Sequence, residues 1–162
     1  MQQSHGIPTV LLVAAALAVA AVLLVQAYRH GRSAPAFYAA RQSLTPGALN
    51  PDVTQSTIRE TICSRGWTKT VRPPVSYTNA LKLLQIRGYR FTGGPVDYQE
   101  DHFISLELGG APRDPHNLWP ERRPRADHVD TLENQLNAEV CSGELSLAEA
   151  QRREAEMKWT DG

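Results

Sequence analysis

The sequence predicts an α+β domain, a short hairpin followed by a helix, with one N-terminal membrane or signal helix ahead of it. Three observations carry this. Between Tyr98 and Leu108 apolar residues recur at Tyr98, Phe103, Ile104, Leu106 and Leu108, and Gly109-Gly110 follows. From Arg125 to Val140, Val129, Leu132, Leu136 and Val140 fall at spacings of three and four. Val10–Val25 is an unbroken run of sixteen apolar residues.

The first pattern reads as a strand over 98–107, closed by paired glycines that tolerate the positive φ of a turn. Ala111–His116 carries two prolines and reads as a loop. Asn117–Trp119 is expected to return as a second strand, stopped by Pro120 and Pro124 because proline donates no ladder hydrogen bond. The second pattern is a helix with one buried face.

The remaining elements follow the same logic. Val53–Cys63 reads as a short helix with Ile58 and Ile62 on one face. Gly66–Val75 reads as an edge strand ending at Pro73, and Ser76–Gly88 as a helix closed by its glycine. Ser146 and Glu149 have capping-box spacing before a helix reaching about Met157, with Leu147 and Ala150 as its docking residues. Trp159 is expected to pack rather than to stack on a base. The chain divides into an anchor or signal segment over 1–28, a linker over 29–52 and a domain over 53–162.

Chemistry concentrates in Glu100-Asp101-His102 and Asn117. A carboxylate, an imidazole and a carboxamide within twenty residues can hold a hard metal ion beside a general base. Asp101 and His102 leave an ideal strand on opposite faces, so a shared site requires irregular backbone there. Asp130 and Asn134 lie four apart on the helix and share a face. Packed across the hairpin, that face would let Asp101 and Asp130 or Asn134 clasp one cation.

Asp101-His102, Leu106-Glu107-Leu108-Gly109-Gly110 and Asn117-Leu118, in that order, resemble the HNH (ββα-metal, or His-Me finger) endonuclease family. The likeness covers about residues 96–137. The longer string through Trp119-Pro120-Glu121 also looks like a group of bacterial exported proteins assigned to that superfamily. The resemblance implies Asp101 as metal ligand, His102 as the base that activates water and Asn117 as the residue that orients it. Where the family pattern puts a third ligand this chain has Ala126. His128, Asp130 and Asn134 are the substitutes, Asp130 first and Asn134 second. The Cys-x-x-Cys knuckles of many HNH domains are missing. The cofactor implied is a divalent metal, Mg²⁺ first, with Mn²⁺ or Zn²⁺ as alternatives, and the substrate is DNA before RNA.

A formal net charge of zero excludes a global basic field, so nucleic-acid binding needs local charge. Arg113, Arg122, Arg123 and Arg125 surround the motif, and Lys69, Arg72, Lys82, Arg87 and Arg90 precede it; together they form the expected phosphate rim. An ordinary solvated surface is the alternative, offset by Glu121, Asp127 and Glu133.

With its flanks, the apolar run approaches the roughly twenty residues that cross a bilayer, and it has no polar face for a soluble helix. Ala34-Pro35-Ala36 lies far downstream for a cleavage site, so an uncleaved anchor is expected. Arg29, Arg32 and Arg41 follow the run and no Lys or Arg precedes it, which favours a cytoplasmic domain. Cys63 and Cys141 bracket the motif and suit one disulfide in an exported domain, and the extracytoplasmic orientation is preferred. Two other readings stand beside the nuclease. One is a non-catalytic, disulfide-stapled exported domain that binds an envelope or protein partner. The other is a structural metal site using Asp101, His102 and His128.

Overall fold

The computed structural model describes residues 39–160, which belong to one compact unit, Ala36–Gly162. The expected anchor at 10–25 lies outside the described residues. Among those described, no helix is long and apolar enough to cross a membrane.

The domain is mixed α and β. In chain order it has α1 (Trp67–Val71), α2 (Val75–Tyr89), β1 (Tyr98–His102), β2 (Leu118–Arg122), α3 (Arg123–Ser142) and α4 (Leu147–Thr160). β1 and β2 form a two-stranded antiparallel sheet in which Tyr98 faces Arg122 and His102 faces Leu118. Tyr98, Phe103, Leu108, Trp119, Leu136, Val140 and Ala150 form the centre of the core. Phe91 stacks on Tyr98 at 5.5 Å, and Trp159 packs on Phe103 at 5.1 Å between ring centroids, as its packing role requires.

Several elements differ from their sequence expectation. β1 stops at His102 instead of continuing to residue 107. The backbone beyond it is claimed by side chains, and Leu106–Leu108 forms a 3₁₀ turn. Pro120 lies inside β2, opposite Glu100, rather than ending it. Phe103 N donates to Asn117 O at 2.7 Å, which fixes the residues whose amides face the partner strand. Pro120 belongs to the other, outward-facing set, so its missing N–H costs no ladder bond.

In the 53–63 segment, residues 55–63 form consecutive turns, not a helix. Threonine hydroxyls compete for the backbone there: Thr57 Oγ1 donates to Asp52 O at 2.8 Å and Thr61 Oγ1 to Thr57 O at 2.6 Å. Trp67–Val71 is a single helical turn instead of an edge strand. It ends where Pro73-Pro74 forbids helical backbone at the preceding residue. α2 passes Gly88 and is closed by Arg90 in the left-handed conformation, φ 56°. α4 starts with Ser146 Oγ accepting Glu149 N at 3.2 Å. The Glu149 carboxylate turns to Arg152 and Arg153, so half of the expected box forms.

Cys63 and Cys141 are joined in a disulfide with Cα atoms 5.6 Å apart and 78 residues of sequence separation. It ties the turn segment before α1 to the end of α3.

Candidate active site

The loop between β1 and β2 is shaped by Asn117. Its side chain is fully buried; Oδ1 accepts Ile104 N at 2.8 Å, and Nδ2 donates to Ile104 O at 2.9 Å and Ala111 O at 3.1 Å. One carboxamide thus replaces the ladder for a segment that has left the sheet. Gly110 makes this possible, because a Cβ there would stand 1.8 Å from Ile104 O and 2.5 Å from Asn117 Nδ2.

The same loop holds His102. Its ring is buried and Nε2 lies 3.0 Å from Pro112 O. A carbonyl only accepts, so Nε2 carries the proton and the neutral ring keeps its lone pair on Nδ1. Burial pushes the His102 pKa below the usual imidazole value, against the opposing pull of the Pro112 bond and the Asp101 charge. The ring is therefore neutral near pH 7, the form a general base needs.

Pairing is regular through His102 and Leu118, without the irregular backbone that a site shared by Asp101 and His102 requires. The two side chains leave on opposite faces. Asp101 lines a polar pocket of about 250 Å³ with Arg72, Gln99, Glu107, Asp130, Glu133 and Asn134, and His102 is not in its lining. The structure thus brings Asp101, Asp130 and Asn134 to one pocket and sets the histidine behind it. Asn134 Nδ2 donates to Asp130 O at 2.6 Å, which leaves Oδ1 as its acceptor. The side chain of His128 lies outside the described set.

Among the described lining residues the groups able to ligate a metal are carboxylate, carboxamide and hydroxyl oxygens, a chemistry that suits a hard divalent cation. Among the described residues, however, no group of three or more His, Cys, Asp or Glu side chains surrounds one point as a metal site. The structural-site alternative built on Asp101, His102 and His128 meets the same geometry, since Asp101 and His102 leave β1 on opposite faces.

A cation already neutralises the inner wall. Lys158, from α4, is 0 % exposed; its Nζ donates to Glu133 at 2.6 Å, His102 O at 2.7 Å and Glu154 at 3.1 Å, and lies 3.6 Å from Asp101. Glu154 in turn accepts Ser105 N with both oxygens, at 2.9 and 3.1 Å. Burial alone would raise the Asp101 pKa, but Lys158, a hydrogen bond with Glu121 and His102 hold it below the usual carboxylate value. Glu121 goes the other way: burial, with the Asp101 charge beside it, pushes it up to about 8. Burial also raises Glu133 and Glu154 against the pull of Lys158, and the four neighbouring acids, Glu154, Glu133, Asp101 and Glu121, keep the lysine charged despite its burial.

Of the nine basic residues expected on the rim, Arg72 lines the pocket, and the four arginines that surround the motif do not. Arg125 turns inward to pair with Glu121, donates to Met157 O at 3.2 Å and sits 6.0 Å from the Trp119 ring. Arg113 and Arg122 are exposed, and Arg123 borders a separate depression with Lys82, Leu83 and Val96. The pocket's own cation is Arg72. Lys158 and Glu154 escaped sequence reasoning, although a signal existed: with Leu147 and Ala150 they continue the buried stripe of α4 at spacings of three and four.

Compared with family models, curated proteins and solved structures, the chain matches none.

Proposed function

We propose that this domain is a metal-dependent endonuclease of the HNH type that hydrolyses phosphodiester bonds of DNA, or of RNA, outside the cytoplasm from a membrane anchor. The observation that carries the reading is the hairpin-plus-helix arrangement that sets Asp101, Asp130 and Asn134 around one pocket, with a neutral His102 next to Asp101 in β1 but on the strand's other face. Asp101 is the first ligand, Asp130 the second and Asn134, through Oδ1, the third. A bound divalent ion, Mg²⁺ before Mn²⁺ or Zn²⁺, would polarise the scissile phosphate and stabilise the departing oxygen. His102 takes the proton of water on Nδ1 while Pro112 O holds Nε2–H. Asn117 fixes the loop that carries that carbonyl. Local positive charge, rather than net charge, meets the substrate.

Lys158 favours a second reading. A buried ammonium already balances the Asp101 wall, as in a domain whose hairpin is only a disulfide-stapled scaffold for an envelope or protein partner. Plasmid nicking with Mg²⁺, Mn²⁺, Zn²⁺ or EDTA, beside His102→Ala, separates the two. Nicking that needs metal and disappears in the variant supports the nuclease. A folded, oxidised protein that fails to nick whichever metal is supplied leaves the scaffold reading.

A further inference from the structure

We infer that Arg72 is the phosphate-gripping residue of the acidic pocket, taking the non-bridging oxygens of a nucleic-acid phosphodiester. The inference rests on the nuclease reading of the same pocket and adds to it the residue that admits the substrate.

The pocket wall is dominated by acids: Asp101, Glu107, Asp130 and Glu133 face it, and among the described lining residues Arg72 is the only cation. A phosphodiester carries a negative charge, and one buried ammonium does not offset the repulsion of four wall carboxyls. Lys158 cannot serve, because it is fully buried and already held by four partners. Arg72 is exposed, and among the described residues its guanidinium has no hydrogen-bond or ion-pair partner. Burial raises the pKa of Glu107, and the Arg72 charge pulls against it, so that charge reaches the pocket wall.

The backbone under Arg72 is well defined. Its N–H donates to Thr68 O at 3.1 Å, closing α1, and Pro73-Pro74 restricts the residues that follow. The disulfide fastens the segment before α1 to α3, the helix that supplies Asp130 and Asn134. The arginine and the proposed ligands are therefore presented from two elements tied together covalently. A guanidinium offers a planar fork that matches two phosphate oxygens, which an ammonium cannot copy.

The test uses the full chain with Arg72→Ala, Arg72→Lys and His102→Ala. Binding to a fluorescent 16-base-pair duplex is read by anisotropy in EDTA over a salt series, and nicking is read separately with Mn²⁺. Arg72→Ala is expected to weaken duplex binding about 10- to 100-fold and to lower the slope of log K against log salt by about 0.9. Arg72→Lys should restore the slope and only part of the affinity. His102→Ala should bind as the parent does and not nick. Equal affinity and salt slope for the parent and Arg72→Ala overturn the Arg72 assignment, even if nicking occurs. A parent that fails to nick with every metal sinks the nuclease reading instead, and the salt slopes still decide Arg72.

Discussion

Replacing Lys158 with methionine is the perturbation whose size the structure fixes best. Methionine keeps the length of the side chain and removes its charge. The ammonium it deletes serves Glu133, Glu154, Asp101 and His102 O at 2.6 to 3.6 Å, with no exposed surface. Removing one partner of a buried ion pair typically costs about 3–5 kcal/mol, because the other charge stays buried without compensation. For a domain of this size that lowers Tm by roughly 10–20 °C. The cost has a pH signature. Lys158 is raised above its ordinary value, so the parent's ammonium stays charged throughout pH 5–8 and sets no slope there. The slope comes from the carboxyls, already raised by burial and raised further without the lysine. A raised carboxyl gives its full stability below the unfolded value and loses it as pH climbs through the folded one. The variant should therefore be hurt less at pH 5, where its acids are protonated and neutral, than at pH 8. Urea unfolding followed by far-UV circular dichroism at both pH values measures this. The triple variant Lys158→Met, Glu133→Gln, Glu154→Gln should recover much of the loss, since it removes the stranded charges as well. A cost below about 1 kcal/mol at both pH values, or one independent of pH, would refute the network as described.

Three further outcomes follow from the same geometry. Asn117→Ala strands Ile104 N–H, Ile104 O and Ala111 O in the interior and should cost about 2–4 kcal/mol by urea unfolding; a loss under 1 kcal/mol would mean that the loop finds other partners. Gly110→Ala should leave little folded protein, its Cβ colliding with Ile104 O, whereas Gly88→Ala, in open space on α2, should stabilise by about 0.5–1 kcal/mol; equal behaviour of the two in thermal melts would contradict the close approach. Glu100 is half-buried, with both carboxylate oxygens shielded and unbonded, and burial pushes its pKa to about 8. Stability is thus lost as pH rises from the usual 4.5 towards 8, and Glu100→Gln should flatten that slope and add up to about 3 kcal/mol at pH 7; an unchanged pH profile would show that the carboxyl reaches solvent.

What the sequence disclosed was what periodicity and glycine chemistry can carry. Val129, Leu136 and Val140 line the buried face of α3 as their spacing requires. Gly110 and Asn117 stand together because one makes room for the other. The two cysteines meet. The 53–63 segment was misread because threonine hydroxyls compete with a helix that Ile58 and Ile62 suggest. Pro120 was misread because the rule against proline in a ladder holds only at positions whose amide faces a partner. The largest omission, Lys158, has a plain physical origin. Hydropathy counts Glu and Lys as solvent-facing, yet Glu154 and Lys158 occupy core positions of α4 and Glu133 one of α3, where each is acceptable only in the company of the others. Pairwise compensation across distant segments is invisible to a window that reads one segment at a time.

That compensation also shows what the motif needs from outside itself. Between His102 and Ala111 the backbone has left the sheet, and its polar groups must find partners or remain unsatisfied in the interior. One face of α4 supplies them in register. Gln151 Nε2 donates to Leu108 O at 2.8 Å, Glu154 accepts Ser105 N, and Lys158 donates to His102 O. Three residues at helical spacing hold three backbone positions at intervals of three along the loop. Asn117 takes Ile104 and Ala111 from the other side. The loop that aims Pro112 O at the histidine is thus clamped between a carboxamide inside the motif and a helix beyond it. The histidine's tautomer depends on that carbonyl, and the Asp101 charge depends on Lys158. The chemistry proposed for residues 101 and 102 is therefore set by a helix that begins at residue 147, and residues 96–137 alone would contain the reactive groups without the parts that hold them in their working state.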